Sequence, residues 1–160
     1  MKCEGAPIFG DTAAVRALAQ ARGAARVVLA NGCFDPLHVG HVRYLTGAAA
    51  CGDFLVVALN DDASTHRLKG AGRPVIAEGD RARLLAALAV VDAVLVFSED
   101  DVTGILEALR PAVHAKGTDY TVDGVPEVDT SRRLGVETVI VGDPKTHASR
   151  EVLARVRGRG

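Results

Sequence analysis

The chain has 160 residues, 48% of them hydrophobic and 24% charged, with 19 Lys and Arg against 20 Asp and Glu for a formal net charge of −1. That length suits one globular domain burying about 70% of its unfolded surface, and the charge balance excludes a generally basic nucleic-acid binder and a polyacidic tail protein. Aromatic residues make up 4%, too few for a stacking platform for single-stranded nucleic acid, and no apolar run approaches the ~20 residues that span a bilayer.

Residues 1–25 read as a helical N-terminal extension. They carry Glu4 and Asp11 and no hydrophobic signal core. A helix is expected over 11–22, Ala-rich and capped by Asp11 or Thr12. Residues 26–31 (RVVLAN) read as a buried strand, followed by a helix over 39–50. Strands are expected again at 54–59 (FLVVAL), 93–97 (AVLVF), 112–115 and 138–141, short and rich in Val and Leu as strands covered on both faces are. Helices are expected over 80–90, over 100–109 before Pro111, and over 149–157, with a long loop at 117–126. The alternation predicts a doubly wound α/β domain with a mostly parallel sheet and no second domain. In such sheets ligands bind beyond the carboxyl ends of the strands, so the segments that follow strands carry the functional reading. Three scattered cysteines, Cys3, Cys33 and Cys51, fit neither a disulfide framework nor a zinc site, which makes a reducing cytoplasm the expected compartment.

After the first strand comes Asn31-Gly32-Cys33-Phe34-Asp35-Pro36-Leu37-His38-Val39-Gly40-His41. Gly32 lets a backbone come close to a ligand, and Pro36 stiffens the turn. His38 and His41 stand three apart at a helix start, so both imidazoles can share one side. Gly40 carries no side chain to keep a phosphate off the backbone. The helix N-terminus adds unpaired N–H groups and partial positive charge. Two imidazoles there make a polyphosphate site, since histidine donates hydrogen bonds whether neutral or protonated. A metal reading of the pair lacks a third ligand nearby. No GxxxxGK[ST] loop is present, and Gly70-Ala71-Gly72-Arg73-Pro74 follows no strand, which rejects it as a dinucleotide fingerprint.

The run Gly32-Cys33-Phe34-Asp35 with His38-Val39-Gly40-His41 resembles the signature of the cytidylyltransferase-like nucleotidyltransferase superfamily, which carries an HxGH motif on a Rossmann-like fold. The resemblance runs from about Asn31 to the end. It implies a three-layer α/β/α core over 26–160 within a single domain over 1–160. It also implies transfer of a nucleotidyl group from a nucleoside triphosphate to a phosphate monoester, with release of pyrophosphate. Asp61-Asp62-Ala63-Ser64-Thr65-His66-Arg67-Leu68-Lys69-Gly70, Arg73-Pro74, Asp80-Arg81-Ala82-Arg83-Leu84-Leu85 and Lys116-Gly117-Thr118-Asp119-Tyr120 further resemble the branch that moves AMP from ATP to D-glycero-β-D-manno-heptose 1-phosphate. In the stand-alone form of that branch no sugar kinase is attached.

The resemblance implies catalytic roles for His38, His41, Lys69 and Arg81. It implies nucleotide contacts from Gly32, Cys33, Phe34, Asp35, His38, Gly40, His41, Lys69, Asp119 and Ser149. Acceptor contacts would come from Asp62, Arg81, Lys116, Asp119 and Tyr120. Asp35 reads equally as an orienting group for the histidine loop, as a neighbour of Mg²⁺, or as a cap. Tyr120 reads as ligand packing or as core. Ser149 reads as an N-cap compatible with a phosphate role. It sits in His147-Ala148-Ser149-Arg150, where family members often have a Ser-Thr-Thr-like run. Mg²⁺ would be held by phosphate oxygens and water rather than by a protein cage. The partners implied are ATP and a sugar phosphate, with no nucleic acid and no membrane, and family members are often homo-oligomers. A cytidylyltransferase acting on glycerol 3-phosphate and a non-catalytic nucleotide sensor are the alternatives.

Overall fold

A computed structural model describes residues 5–144 and 149–158, with the side chains of Ser149 and Arg150 outside the description. Six strands form one sheet: β1 (Ile8–Phe9), β2 (Val27–Gly32), β3 (Phe54–Asn60), β4 (Ala93–Phe97), β5 (Val113–Gly117) and β6 (Glu137–Val141). Their spatial order is β1-β4-β3-β2-β5-β6, and all five pairings are parallel. The helices are α1 (Thr12–Ala21), α2 (Val39–Ala49), α3 (Asp62–Lys69), α4 (Glu78–Ala86), α5 (Thr103–Leu109), α6 (Val128–Leu134) and α7 (Ser149–Arg157).

Alternation along each strand makes the three layers. Val28 and Ala30 of β2, Leu55, Val57 and Leu59 of β3, and Val113 and Ala115 of β5 pack against Leu45 and Ala48 of α2 and Ala82 and Leu85 of α4. The intervening Leu29, Val56, Ala58 and Leu95 face Val15 and Ala19 of α1 and Ile105, Leu106 and Leu109 of α5. Every residue of β3, the strand flanked on both edges and both faces, is buried. The sheet is the Rossmann-like one expected, and parallel throughout rather than mostly so.

Four differences from the expected elements have local causes. The segment read as a helical extension also supplies an edge strand, since Ile8 and Phe9 pair with Val94 and Leu95. Two residues are too few to show strand periodicity. Residues 62–69, read as part of a loop, form α3, whose polar sequence lacks an apolar stripe but is capped by Asp61 accepting from the Ser64 amide at 2.7 Å. α6 is likewise a short helix with a polar sequence that ends on Gly135 at a positive φ of 71°, the conformation glycine takes most readily. The helix expected over 80–90 ends at Ala86, where the backbone of Ala6 donates to the Ala86 carbonyl. The chain then turns so that the Asp92 carboxylate accepts from the Leu55 amide at 2.8 Å.

β2 is where the sheet order reverses: its chain successor β3 lies on one side and β5 on the other. β2 pairs with β3 as far as Gly32↔Leu59 but with β5 only as far as Ala30↔Ala115. Beyond that point the Tyr44 hydroxyl takes the place of a ladder bond. It accepts from the Asn31 amide at 3.3 Å and donates to the Ala115 carbonyl at 2.8 Å. Burial pushes the phenol's pKa up, so the hydroxyl keeps the proton it donates. This opening at the carboxyl ends of β2 and β5 is the crevice position of a doubly wound sheet.

Candidate active site

The loop leaving β2 runs directly into α2, and His38 is its N-cap. The Gly40 amide donates to His38 Nδ1 at 3.1 Å, and the His38 amide donates to His41 Nδ1 at 3.3 Å. This is a reciprocal cap built from two imidazoles in place of the usual Ser and Glu. A neutral imidazole that accepts at Nδ1 carries its proton at Nε2. The fold therefore sets both rings in the same tautomer, with Nε2–H as the donor. The rings stack with centroids 3.8 Å apart and 24° between planes. Phe34 packs edge-on to His41 at 5.1 Å and lies parallel to Tyr44 at 6.5 Å.

Phe34 is 3% exposed, so its ring is a buried support for His41. Its backbone sits at a positive φ of 47°, a conformation costing about 1–2 kcal/mol for a residue with a side chain. Gly32 makes room for that ring, because a Cβ on Gly32 would stand 3.2 Å from the Phe34 edge. The bare Cα expected to admit a ligand thus faces a core ring. Cys33 is buried beside Asn60, with Sγ 3.8 Å from Oδ1.

Like Cys33, Phe34, Arg81 and Lys116, Asp35 is an expected site residue that the fold buries. Its carboxylate is fully buried, pairs with Arg73 Nε at 2.6 Å, and accepts from the amides of Val75 and Ile76 at 2.8–2.9 Å. Burial by itself would raise its pKa. The Arg73 guanidinium and the two amides outweigh that and hold the carboxyl below the usual carboxylate range. Of the three readings of Asp35, the orienting one fits, since it clips the histidine loop to residues 73–76.

The Arg81 side chain is wholly buried. Nε donates to the Ile76 carbonyl, Nη1 to the carbonyls of Cys33 and Asn60, and Nη2 to Asp62 Oδ1, all at 2.7–2.8 Å. A guanidinium engaged this fully grips the ends of β2 and β3. Asp62 contributes to the same junction. Its Oδ1 also accepts from the Glu78 amide at 2.8 Å, while Glu78 Oε2 accepts from the Asp62 amide at 2.7 Å. The two acids tie the N-termini of α3 and α4 together, and the Asp62 side chain remains 43% exposed. Lys69 ends α3 on the surface.

Across the opening, the end of β5 brings up Lys116. Its Nζ lies 3.2 Å from Asn31 Oδ1, 3.5 Å from Glu127 Oε2 and 4.9 Å from the centre of the Tyr120 ring. Burial lowers its pKa, and Glu127 works in the opposite direction without fully offsetting it. His114 Nε2 meets the same Asn31 oxygen at 3.1 Å. Asp119 is exposed, and Tyr120 is 40% exposed at the rim. The Thr118 hydroxyl donates to the Asp143 carbonyl, and Arg43 of α2 pairs with the Asp143 carboxylate. α2 and the segments after β5 and β6 are thereby drawn to one edge. Of the last motif, His147 and Ala148 lie outside the described residues. Ser149 begins α7, and its side chain is likewise not described.

The roles of Asn31, Tyr44 and Glu127 and the structural use of Arg73 do not stand out in the amino-acid sequence. A polar Asn closing an apolar strand was the available signal for the first. For Glu127 there was only an acid at a helix start, a common capping pattern. Among the described residues no group of three or more His, Cys, Asp and Glu side chains could hold a metal. No described helix is long and apolar enough to cross a membrane.

The cytidylyltransferase-like family model matches residues 29–152. The chain belongs to that family, whose chemistry is nucleotidyl transfer. Among its relatives, "Bifunctional protein HldE" of Geobacter sulfurreducens is 59% identical over 100 residues, which are 62% of this chain and 20% of that protein. The protein of the same name from Pelobacter propionicus is 42% identical over 149 residues, 93% of this chain and 30% of that one. The matched region thus spans between a fifth and a third of these relatives. A solved lipopolysaccharide core biosynthesis protein from Thermoplasma volcanium superposes with a TM-score of 0.63 at 29% identity, covering 75% of this chain and 98% of its own.

Proposed function

We propose that this chain transfers AMP from ATP to a sugar 1-phosphate and releases pyrophosphate, with D-glycero-β-D-manno-heptose 1-phosphate as acceptor. The observation that carries the reading is the pair of imidazoles locked in one tautomer at the N-terminus of α2, beside the opening between β2 and β5. Family membership and the HldE relatives support the reaction class. The sequence resemblance to the heptose branch supports the acceptor.

In this reading an oxygen of the sugar phosphate attacks the α-phosphorus in line. The bond from that phosphorus to the bridging oxygen breaks, and pyrophosphate leaves with the electron pair. The attacking group is already an anion, so no general base is required. Catalysis is positioning plus charge stabilisation. His38 and His41 donate from Nε2 to oxygens of the α-phosphoryl and the leaving group. The amides of the first turn of α2, with Gly40 among them, supply partial positive charge. Lys69, exposed and on a long stem, follows the phosphates. Lys116 faces the acceptor phosphate, Asp119 accepts from sugar hydroxyls, and Tyr120 borders the acceptor. Asp35, Phe34, Asp62 and Arg81 hold these groups in place. Mg²⁺ enters with ATP as part of the substrate. Cytoplasmic location and homo-oligomer formation belong to the same proposal and rest on the resemblance and on cysteine usage.

The test is pyrophosphate release with Mg²⁺ in a grid of ATP, CTP and GTP against heptose 1-phosphate and glycerol 3-phosphate. Release with ATP and the heptose alone is the expected result. Release with CTP and glycerol 3-phosphate would keep the mechanism and replace both substrates. Silence across the grid with ATP still bound would overturn the transferase reading in favour of nucleotide sensing.

A further inference from the structure

One buried acid in this region has no part in the scheme above. Glu127, the residue before α6, is 3% exposed. Its Oε1 accepts from the Val102 amide at 3.3 Å, while Oε2 makes no hydrogen bond and lies 3.5 Å from Lys116 Nζ. A buried ion pair adds little net stability over well-packed apolar residues of similar shape, so packing alone does not account for it. Lys116 is set at the end of β5 by two oxygens from different elements, Asn31 Oδ1 of β2 and Glu127 Oε2 at the start of α6. Asn31 adjoins Gly32, from which the histidine loop departs.

We infer that Glu127 is a positioning residue for the transfer: with Asn31 it holds the Lys116 ammonium, charged, at the acceptor side of the opening. The inference rests on the reading of Lys116 as the acceptor-side cation. Asp101, ahead of α5, acts on Lys116 in the same sense as Glu127. His114, on β5, is held neutral by burial, with a pKa lowered to about 3. The Tyr44 phenol of α2 is pushed upward, and Tyr120 covers Lys116 with its ring. Among the described residues, Glu127 is the carboxylate paired with the ammonium, at 3.5 Å.

The sign of the effect follows from the two opposing influences. Burial favours the neutral amine, and Glu127 favours the ammonium. Removing the negative charge leaves burial less opposed, so Lys116 loses its proton at a lower pH. Glu127→Gln is the informative change, because its side-chain carbonyl can still accept from Val102. The measurement is the KM for the sugar phosphate across pH 6 to 10, for the intact protein, Glu127→Gln, Glu127→Asp and Lys116→Ala. Ser131→Ala, one turn further along α6, serves as a packing control.

The expected result is that the rise in acceptor KM begins about one pH unit or more lower in Glu127→Gln than in the intact protein. The KM for ATP and the profile of Ser131→Ala should stay where they were. Glu127→Asp, which keeps the charge on a shorter stem, falls between, and decides the matter if the amide variant does not fold. Ionisation of the sugar phosphate is common to all variants and cancels. A Glu127→Gln profile that superimposes on the intact one, or a KM raised equally at every pH, overturns the inference even if Lys116→Ala raises the KM. An acceptor KM untouched in Lys116→Ala overturns instead the placement of Lys116 on which the inference stands.

Discussion

At the scale of single residues, His38 and His41 each do two jobs with opposite edges of one ring. Nδ1 closes the helix cap, and Nε2 is the donor the proposed transfer uses. The two jobs can be separated. Asparagine is among the best N-cap residues and offers an acceptor near the Nδ1 position, but nothing at Nε2. His38→Asn should therefore keep folding stability within about 0.5 kcal/mol while kcat falls by ~10²-fold or more, if the ring acts in the transition state. Urea unfolding and steady-state pyrophosphate release read the two effects separately. A variant with normal turnover would remove His38 from the mechanism. The histidine pair was visible in the sequence because its spacing and the glycine between it are local. Asp35 and Arg81 were not readable in the same way. A charged residue looks alike in sequence whether it faces a ligand or another part of the chain. The partners that decide the matter, Arg73 and Ile76 for the one and Cys33, Asn60 and Asp62 for the other, are brought up by the fold.

At the scale of elements, Arg81 is the residue through which β2, β3, α3 and α4 meet. Its fork reaches four acceptors in fixed directions, which a single ammonium cannot match. Arg81→Lys leaves buried carbonyls unpaired and should cost about 3–5 kcal/mol of stability, as other broken buried charge networks do. At a temperature where the variant is still folded, a structural role predicts little change in the acceptor KM. A large rise there, without loss of stability by thermal unfolding, would return Arg81 to the substrate site. The longer, apolar strands were legible because continuous Val and Leu runs are what a strand covered on both faces requires. α3 and α6 were not. They are 8 and 7 residues long, polar, and held by caps and neighbouring elements rather than by an apolar stripe. β1 is a strand only because β4 is beside it.

At the scale of the whole molecule, a buried neutral histidine makes stability depend on pH. His114 is fully buried, bonded through Nε2 to Asn31, and its pKa is lowered from 6.5 to about 3. Between those values the unfolded chain binds a proton that the folded chain does not, so stability is complete above pH 6.5 and is lost as pH falls. From pH 6.5 to 4.5 the loss should reach about 2–3 kcal/mol, at 1.36 kcal/mol for each unit. Asp35 has its folded pKa lowered from 3.8, so its contribution is lost only at pH values below this window. Urea unfolding at pH 7, 5.5 and 4.5 should show the slope, and His114→Asn should flatten it. An unchanged slope would assign the dependence to other groups. The layer architecture and the histidine loop are legible in the chain order, because apolar alternation and the Gly32-to-His41 run act between near neighbours. Which charges pair with one another depends on how the elements pack. A buried ion pair such as Lys116 with Glu127 joins residues 11 positions apart whose contact exists only once β5 and α6 have packed.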